Sequence, residues 1–296
     1  MLKRRIIASL TVKDGIVVQS AGFEKYLPVG GPEIAVEFLN QWGVDEIVYN
    51  DISATKEERG IDLDLIKSVS KKCFTPLMVG GGIKSVKDAS DCIKSGADKV
   101  LVNNLLHTDS KEVSDMVQEF GSQCVIASLD MKRDQNGKIR PFNYVDKSFL
   151  PHDFLDLVKI VEELGVGEIL INSVDRDGAY NGFEIDTLKR VKEHVSIPII
   201  ALGGAKSANC FQELFKETEV EAGAAANFFH FSEHSVTLIK SQLKKLRPNI
   251  RLDTEFDYGT SSFDENGRLV KRLDEDLENL LYIEIKDEII NKFEKD

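Results

Sequence analysis

Short runs of apolar, largely β-branched residues recur along the chain at Ile6 to Leu10, Glu46 to Tyr49, Leu77 to Val79, Lys99 to Val102, Val125 to Leu129, Ile169 to Ile171, Ile197 to Ala201 and Ala222 to Phe228. The runs are continuous rather than alternating, which is the pattern of strands buried on both faces. Between them lie stretches with helical spacing, among them Pro32 to Trp42, Asp62 to Lys72, Val86 to Ser95 and Asp153 to Leu164. Strand and helix in alternation predict parallel βα units. Eight such units in roughly 250 residues predict an α/β protein, a (β/α)8 TIM barrel.

An internal repeat strengthens this prediction. GVDEIVYND from Gly43 answers to GVGEILINS from Gly165, and TPLMVGGGIKS from Thr75 answers to IPIIALGGAKS from Ile197. The opening IIASLTVKDG matches VIASLDMKRDQNG from Val125, with a longer loop around Asp134 to Lys138. The barrel is therefore expected to be two similar half-barrels. The repeat pairs Thr11 with Asp130, Glu46 with Glu168, Gly82 with Gly204, and Asn104 with Asn227.

Charge narrows the class of partner. The 296 residues carry 38 Lys+Arg and 50 Asp+Glu, a formal charge of −12. Without a basic field, neither nucleic acid nor an anionic membrane surface is an expected partner. The acidity is concentrated: Arg251 to Asp296 holds 14 acidic and 7 basic residues. No segment reaches the roughly 18 apolar residues of a membrane span. The start, MLKRRIIASLTVKDG, is basic and then apolar, but polar residues interrupt it before a signal-peptide core could form. Cys73, Cys92, Cys124 and Cys210 are far apart and read as reduced thiols of a cytoplasmic protein. The five histidines share no spacing, so no metal site and no cofactor are expected.

In such barrels the site forms at the carboxyl ends of the strands. Gly80-Gly81-Gly82 and Gly203-Gly204 are either tight strand-to-helix turns or backbone cradles for phosphate. Their symmetric placement favours two phosphate sites facing each other across the mouth. Asp130, and Asp175 and Asp177 in DRDG, are either loop caps or general bases whose burial tunes their acidity. Thr11, at the position equivalent to Asp130, cannot exchange a proton near neutral pH. At the opposite strand ends stand Arg5, Glu46, Lys99 and Glu168, either as solvated caps or as a ring of alternating charge that plugs a central passage.

These residues together resemble the cyclase subunit of imidazole glycerol phosphate synthase, over Leu2 to about Leu252. The resemblance is carried by RIIASLTVKDG, FGSQCVIASLDMKR, GEILINSVDRDG and FFHF. It implies a barrel that forms a heterodimer with a glutaminase subunit, receives ammonia from it, and binds a bisphosphorylated ribulosyl substrate at its mouth. It implies phosphate contacts at Gly82, Asn103 and Asn104 in one half, and at Asp177, Gly178, Gly204, Ala226 and Asn227 in the other. It makes Arg5, Glu46, Lys99 and Glu168 the ammonia gate, and it turns Asp98 toward the glutaminase.

The chain departs from the family at the reaction end. Of two expected catalytic aspartates only Asp130 is present, with Thr11 in place of the other; Gln19 replaces a lysine; Asn104 and Asn227 replace hydroxyl residues. This combination resembles a paralogous group associated with sugar modification, in which the barrel supplies ammonia for an acetamidino group on a nucleotide-linked sugar, with a sugar amidotransferase as a further partner. The alternatives are a true cyclase of histidine biosynthesis and a non-catalytic scaffold of the glutaminase. Residues 253–296 are expected to form an extension beyond a barrel of residues 1–252, with an apolar helical stripe through Leu273, Leu277, Leu280, Leu281 and Ile285.

Overall fold

A computed structural model describes residues 3–246, 249–254, 256, 258–264, 267–271, 273 and 275. Eight parallel strands form the expected barrel: β1 (Arg5–Lys13), β2 (Glu46–Asp51), β3 (Leu77–Gly80), β4 (Lys99–Val102), β5 (Val125–Arg133), β6 (Glu168–Ser173), β7 (Ile199–Leu202) and β8 (Ala222–Ala225). They pair in sequence order, and β8 pairs with β1 to close the circle. Helices α1 (Pro32–Gln41), α2 (Leu63–Ser70), α3 (Val86–Lys94), α4 (Ser110–Phe120), α5 (Phe154–Glu163), α6 (Ile185–His194), α7 (Ala208–Glu217) and α8 (Ser235–Leu246) follow the strands.

Both faces of each strand are buried, which is why the runs are continuous. On β1, Ile6, Ala8, Leu10 and Val12 pack outward against helices, while Ile7 joins Val48, Met78, Leu101, Ile126, Leu170 and Ile200 in the barrel interior. The eighth run is shorter than expected. Its strand ends at Ala225, and Asn227–His230 form a 3-10 turn whose apolar residues serve another purpose: Phe229 stacks on Phe211 of α7. The seventh strand starts at Ile199, after Pro198, which has no N–H to pair.

Two antiparallel hairpins leave the mouth, and neither follows from the apolar runs. In the first, the end of β1 turns back into Ile16–Ala21, which pairs with Lys25–Gly30. Its turn is Asp14-Gly15, both at positive φ, the conformation an Asp-Gly hairpin turn requires. In the second, β5 pairs with Ile139–Asn143, and that segment with Ser148–Phe149.

The chain divides into two compact units, Met1–Thr260 and Ser261–Asp296, so residues 253–260 group with the barrel. Within the first unit, Lys240 of α8 is buried and paired with Asp45 at 2.7 Å, and His234 stacks on Phe256 and bonds the Tyr258 hydroxyl. In the second unit, Leu269 forms an antiparallel bridge with Phe263. The predicted stripe from Leu277 to Ile285 lies outside the described residues. No helix among the described residues is long and apolar enough to cross a membrane.

Candidate functional site

The barrel interior is built in layers by the two-residue period of its strands. Arg5 shares a face with Ile7, Glu46 with Val48, Lys99 with Leu101, and Glu168 with Leu170. The four charged residues, 8 to 22% exposed, meet as a closed alternating ring. Arg5 Nη1 donates to Glu46 Oε1 at 2.7 Å, and Arg5 also pairs with the Glu168 carboxylate. Lys99 Nζ donates to Glu46 Oε2 at 3.1 Å and to Glu168 Oε1 at 2.8 Å. Burial works against the Arg5 charge, but the two carboxylates outweigh it and push its pKa up. Burial likewise opposes the Glu168 carboxylate, and Arg5 and Lys99 reverse the effect, holding it below the usual range. An aliphatic layer lies above the ring.

Beyond that layer a cavity of about 320 Å³ opens at the mouth. Its floor is Val48, Leu101 and Leu170, the residues stacked directly over Glu46, Lys99 and Glu168. Its walls include Ser9, Thr11, Asn50, Asn103, Ser128, Asp130 and Asn172. One apolar layer therefore separates the charged ring from a polar chamber.

Asp130 is 6% exposed and accepts a hydrogen bond from Asn103 Nδ2 at 2.9 Å. Desolvation raises its pKa to about 7; the Asn103 and Asn172 bonds pull it down, and the nearby Asp177 charge pushes it further up. Thr11 holds the symmetric position: it is registered with Asn50 as Asp130 is with Asn172. Both residues line the one cavity.

The two glycine turns adopt matching conformations. Gly81 and Gly82 have φ of 101° and 72°, Gly203 and Gly204 of 105° and 91°. A Cβ on Gly204 would fall 2.0 Å from the Gly182 carbonyl oxygen, so the packing of neighbouring loops also requires glycine there. The cavity reaches Gly81, Gly82, Asn103 and Asn104 in the first half, with Lys56 and Lys84 at its edge. Of the phosphate contacts expected in the second half it reaches Asp177 and Ala226; Gly178, Gly204 and Asn227 line an adjoining cleft of about 20 Å³ that shares those two residues. Ser20 of the first hairpin is bonded to Asp177 and Asn227. Gln19 is on that hairpin, paired with Leu27.

Two expected residues have structural partners. Asp98 is exposed at the ring end, where its Oδ2 accepts the Leu77 N–H at 2.8 Å, as Asp45 accepts that of Ile6 and Glu221 that of Ile199. Asp175 accepts the Arg133 N–H at 2.6 Å at the end of β5. Sequence reasoning overlooked Asn50, Asn172, Tyr144 and Lys56. Asn50 and Asn172 occupy matched places in the repeat, the signal that marks them; Tyr144, whose hydroxyl bonds Thr55, sits on the unforeseen second hairpin. No group of three or more His, Cys, Asp or Glu side chains suited to a metal ion occurs among the described residues.

Comparison with known proteins places this geometry. The chain matches the histidine biosynthesis protein family over residues 5–235. It is 41% identical over 268 residues to the putative imidazole glycerol phosphate synthase subunit hisF2 of Vibrio vulnificus (strain YJ016), covering 90% of this chain and 98% of that protein. It belongs to the HisF family. HisF subunits of imidazole glycerol phosphate synthase from Alkaliphilus metalliredigens (strain QYMF) and Streptococcus sanguinis (strain SK36) are 38% and 37% identical over 251 and 252 residues, 85% of this chain and all of each relative. Membership in the HisF family gives the two ends of the barrel a common frame, and within it Thr11 stands out as a neutral residue opposite a buried carboxyl group.

Proposed function

We propose that this HisF-like chain is the ammonia-channelling synthase subunit of a glutamine amidotransferase complex, in which a glutaminase partner docks at the ring end of the barrel. The observation that carries this reading is the alternating ring, one aliphatic layer below a polar chamber. Neutral ammonia crosses such a layer at little cost, whereas ammonium or water-borne ions lose several kcal/mol of hydration. The ring's charges sum to zero, and displacement of the Lys99 side chain opens a path past Arg5, which stays bonded to both carboxylates. Asp98 lies at the face offered to the glutaminase.

At the mouth, a phosphorylated ligand rests against the Gly82, Asn103 and Asn104 end, and Asp130 accepts or returns a proton at neutral pH. Cyclisation of the bisphosphorylated ribulosyl substrate of imidazole glycerol phosphate synthase needs a second proton-transfer group, which Thr11 does not supply. Loss of such a group costs a factor of roughly 10² to 10⁴. The reading therefore assigns the ammonia to another acceptor: an acetamido group on a nucleotide-linked sugar, converted to an acetamidino group by a sugar amidotransferase, a nucleoside triphosphate activating the amide oxygen so that ammonia displaces it as a phosphate ester or phosphate. The retained Asp130, Asn103 and Asn172 cluster favours the second reading, a slow cyclase of histidine biosynthesis. Reconstitution with glutaminase, amidotransferase, acetamido sugar nucleotide, ATP and amide-labelled glutamine tests the proposal. Label appearing in an amidino product only when this chain is present supports it; product formed equally well without the chain overturns it.

A further inference from the structure

The two halves of the mouth, alike in backbone, differ in what fills them. In the first half the cavity runs up to Gly82 and Asn104 and is lined by Lys56, whose Nζ lies over the Tyr144 ring, and Lys84, whose Nζ donates to the Glu58 carbonyl at 3.3 Å. In the second half the bend at Ser20–Phe23, where Ile16–Ala21 turns back toward Lys25–Gly30, occupies the corresponding approach. Ser20 N–H donates to Asn227 Oδ1 at 2.9 Å, and Asn227 Nδ2 donates to the Ser20 carbonyl. Ser20 Oγ donates to Asp177 Oδ2 at 2.6 Å, the Phe23 N–H reaches the same oxygen, and the Gly22 N–H bonds the Asp177 carbonyl. Ser20 and Asn227 are both buried. Gly178 packs so tightly beneath that a Cβ would fall 2.5 Å from the Ser20 carbonyl oxygen.

The cleft left beside this bend measures about 20 Å³, against about 320 Å³ for the cavity that reaches the first glycine turn. A carboxamide presents a donor and an acceptor on two separate atoms with the spacing of a peptide group, so it pairs with both groups of Ser20 as a neighbouring strand would. Electrostatics act in the same direction. The cleft's lining holds no cation and holds the Asp177 carboxyl, whereas the open half has two lysines.

We propose that Asn227 latches the first hairpin over the second glycine turn and makes the mouth a site for a ligand with one phosphorylated end. Its other end carries no phosphate, and hydroxyl or amine groups there bond Asp177 and Asp130. The inference rests on the reading that the mouth takes a phosphorylated ligand, and it departs from a symmetric two-phosphate site.

Titration of the full-length chain with inorganic phosphate, by calorimetry and phosphorus NMR, counts the sites. One site per chain is expected, weakened several-fold by Lys56→Ala, with a second site appearing in Asn227→Ser. Hydrogen exchange at the Ser20 amide reports the latch directly and should accelerate at least tenfold in Asn227→Ser; Asn227→Ala gives the same readouts if the serine variant folds poorly. Two sites in the unaltered chain, or one site in both chains once Ser20 exchange has accelerated, overturn the latch while leaving the phosphorylated-ligand reading intact. Absence of binding in every variant overturns that reading and the latch together.

Discussion

Asp130 is a carboxyl group held where water barely reaches, and its environment sets a measurable signature. Its pKa is raised from 3.8 to about 7 by burial first and by the Asp177 charge further. The folded chain thus keeps a proton that the unfolded chain has already lost, and stability falls as pH rises from about 4 to about 7, by up to about 4 kcal/mol. Asp130→Asn removes the titration and should raise the melting temperature at pH 8 while changing it little at pH 4. Equal shifts at both pH values in a thermal melt would show that the effect is not electrostatic. Thr11, at the same register in the other half, has no such signature to offer, and the contrast was legible in the repeat alone. Asn50 and Asn172 were equally legible there. They passed unnoticed because an asparagine ending an apolar run reads as an ordinary strand terminus until its neighbours across the barrel are known.

The strands and most helices follow directly from the sequence, because burial on both faces forces continuous apolar runs and the repeat checks each one. The hairpins were hidden because their residues answer to no deep core: Lys25–Gly30 is largely exposed, and only the Asp14-Gly15 turn announces the first. That hairpin nevertheless decides which half of the mouth is open. Invisible too was how α8 attaches to the barrel, since the spacing of Lys240 and Asp45 in sequence says nothing of their meeting. Lys240 is 1% exposed, and burial pulls its pKa down against the opposing pull of Asp45. Lys240→Met should destabilise the barrel by about 3 to 5 kcal/mol, because it strands a buried carboxylate. Adding Asp45→Asn should restore most of the loss. Chemical denaturation of the single and double variants checks this, and strictly additive losses would contradict the pairing.

Across the whole molecule the half-barrel repeat organises two ends that meet the expectation unequally. The ring end holds all four expected charges in a closed arrangement; the mouth holds Asp130 opposite Thr11, and its cavity runs up to the first glycine turn. A barrel retained for conduction tolerates a departure at the mouth but not at the ring. Glu168→Gln leaves Arg5 and Lys99 sharing Glu46 alone, and it should reduce glutamine-driven product at least tenfold in the glutaminase complex while sparing product formed from added ammonium salt. Equal loss with both nitrogen sources would place the damage in the fold rather than the passage. The acidic extension adds charge to the chain without changing this division, since the barrel residues alone supply both ends.

The central claim is that ammonia delivery persists where cyclisation has been lost, and one measurement addresses it directly. Turnover of the bisphosphorylated ribulosyl substrate of imidazole glycerol phosphate synthase, with saturating ammonium salt, is to be compared between the unaltered chain and the double variant Thr11→Asp, Asn227→Ser, which restores the carboxylate and frees the second glycine turn. The account predicts little or no imidazole product from the unaltered chain and a gain of at least tenfold in the double variant. Rapid turnover by the unaltered chain, undiminished by the absence of a second acid, would contradict it.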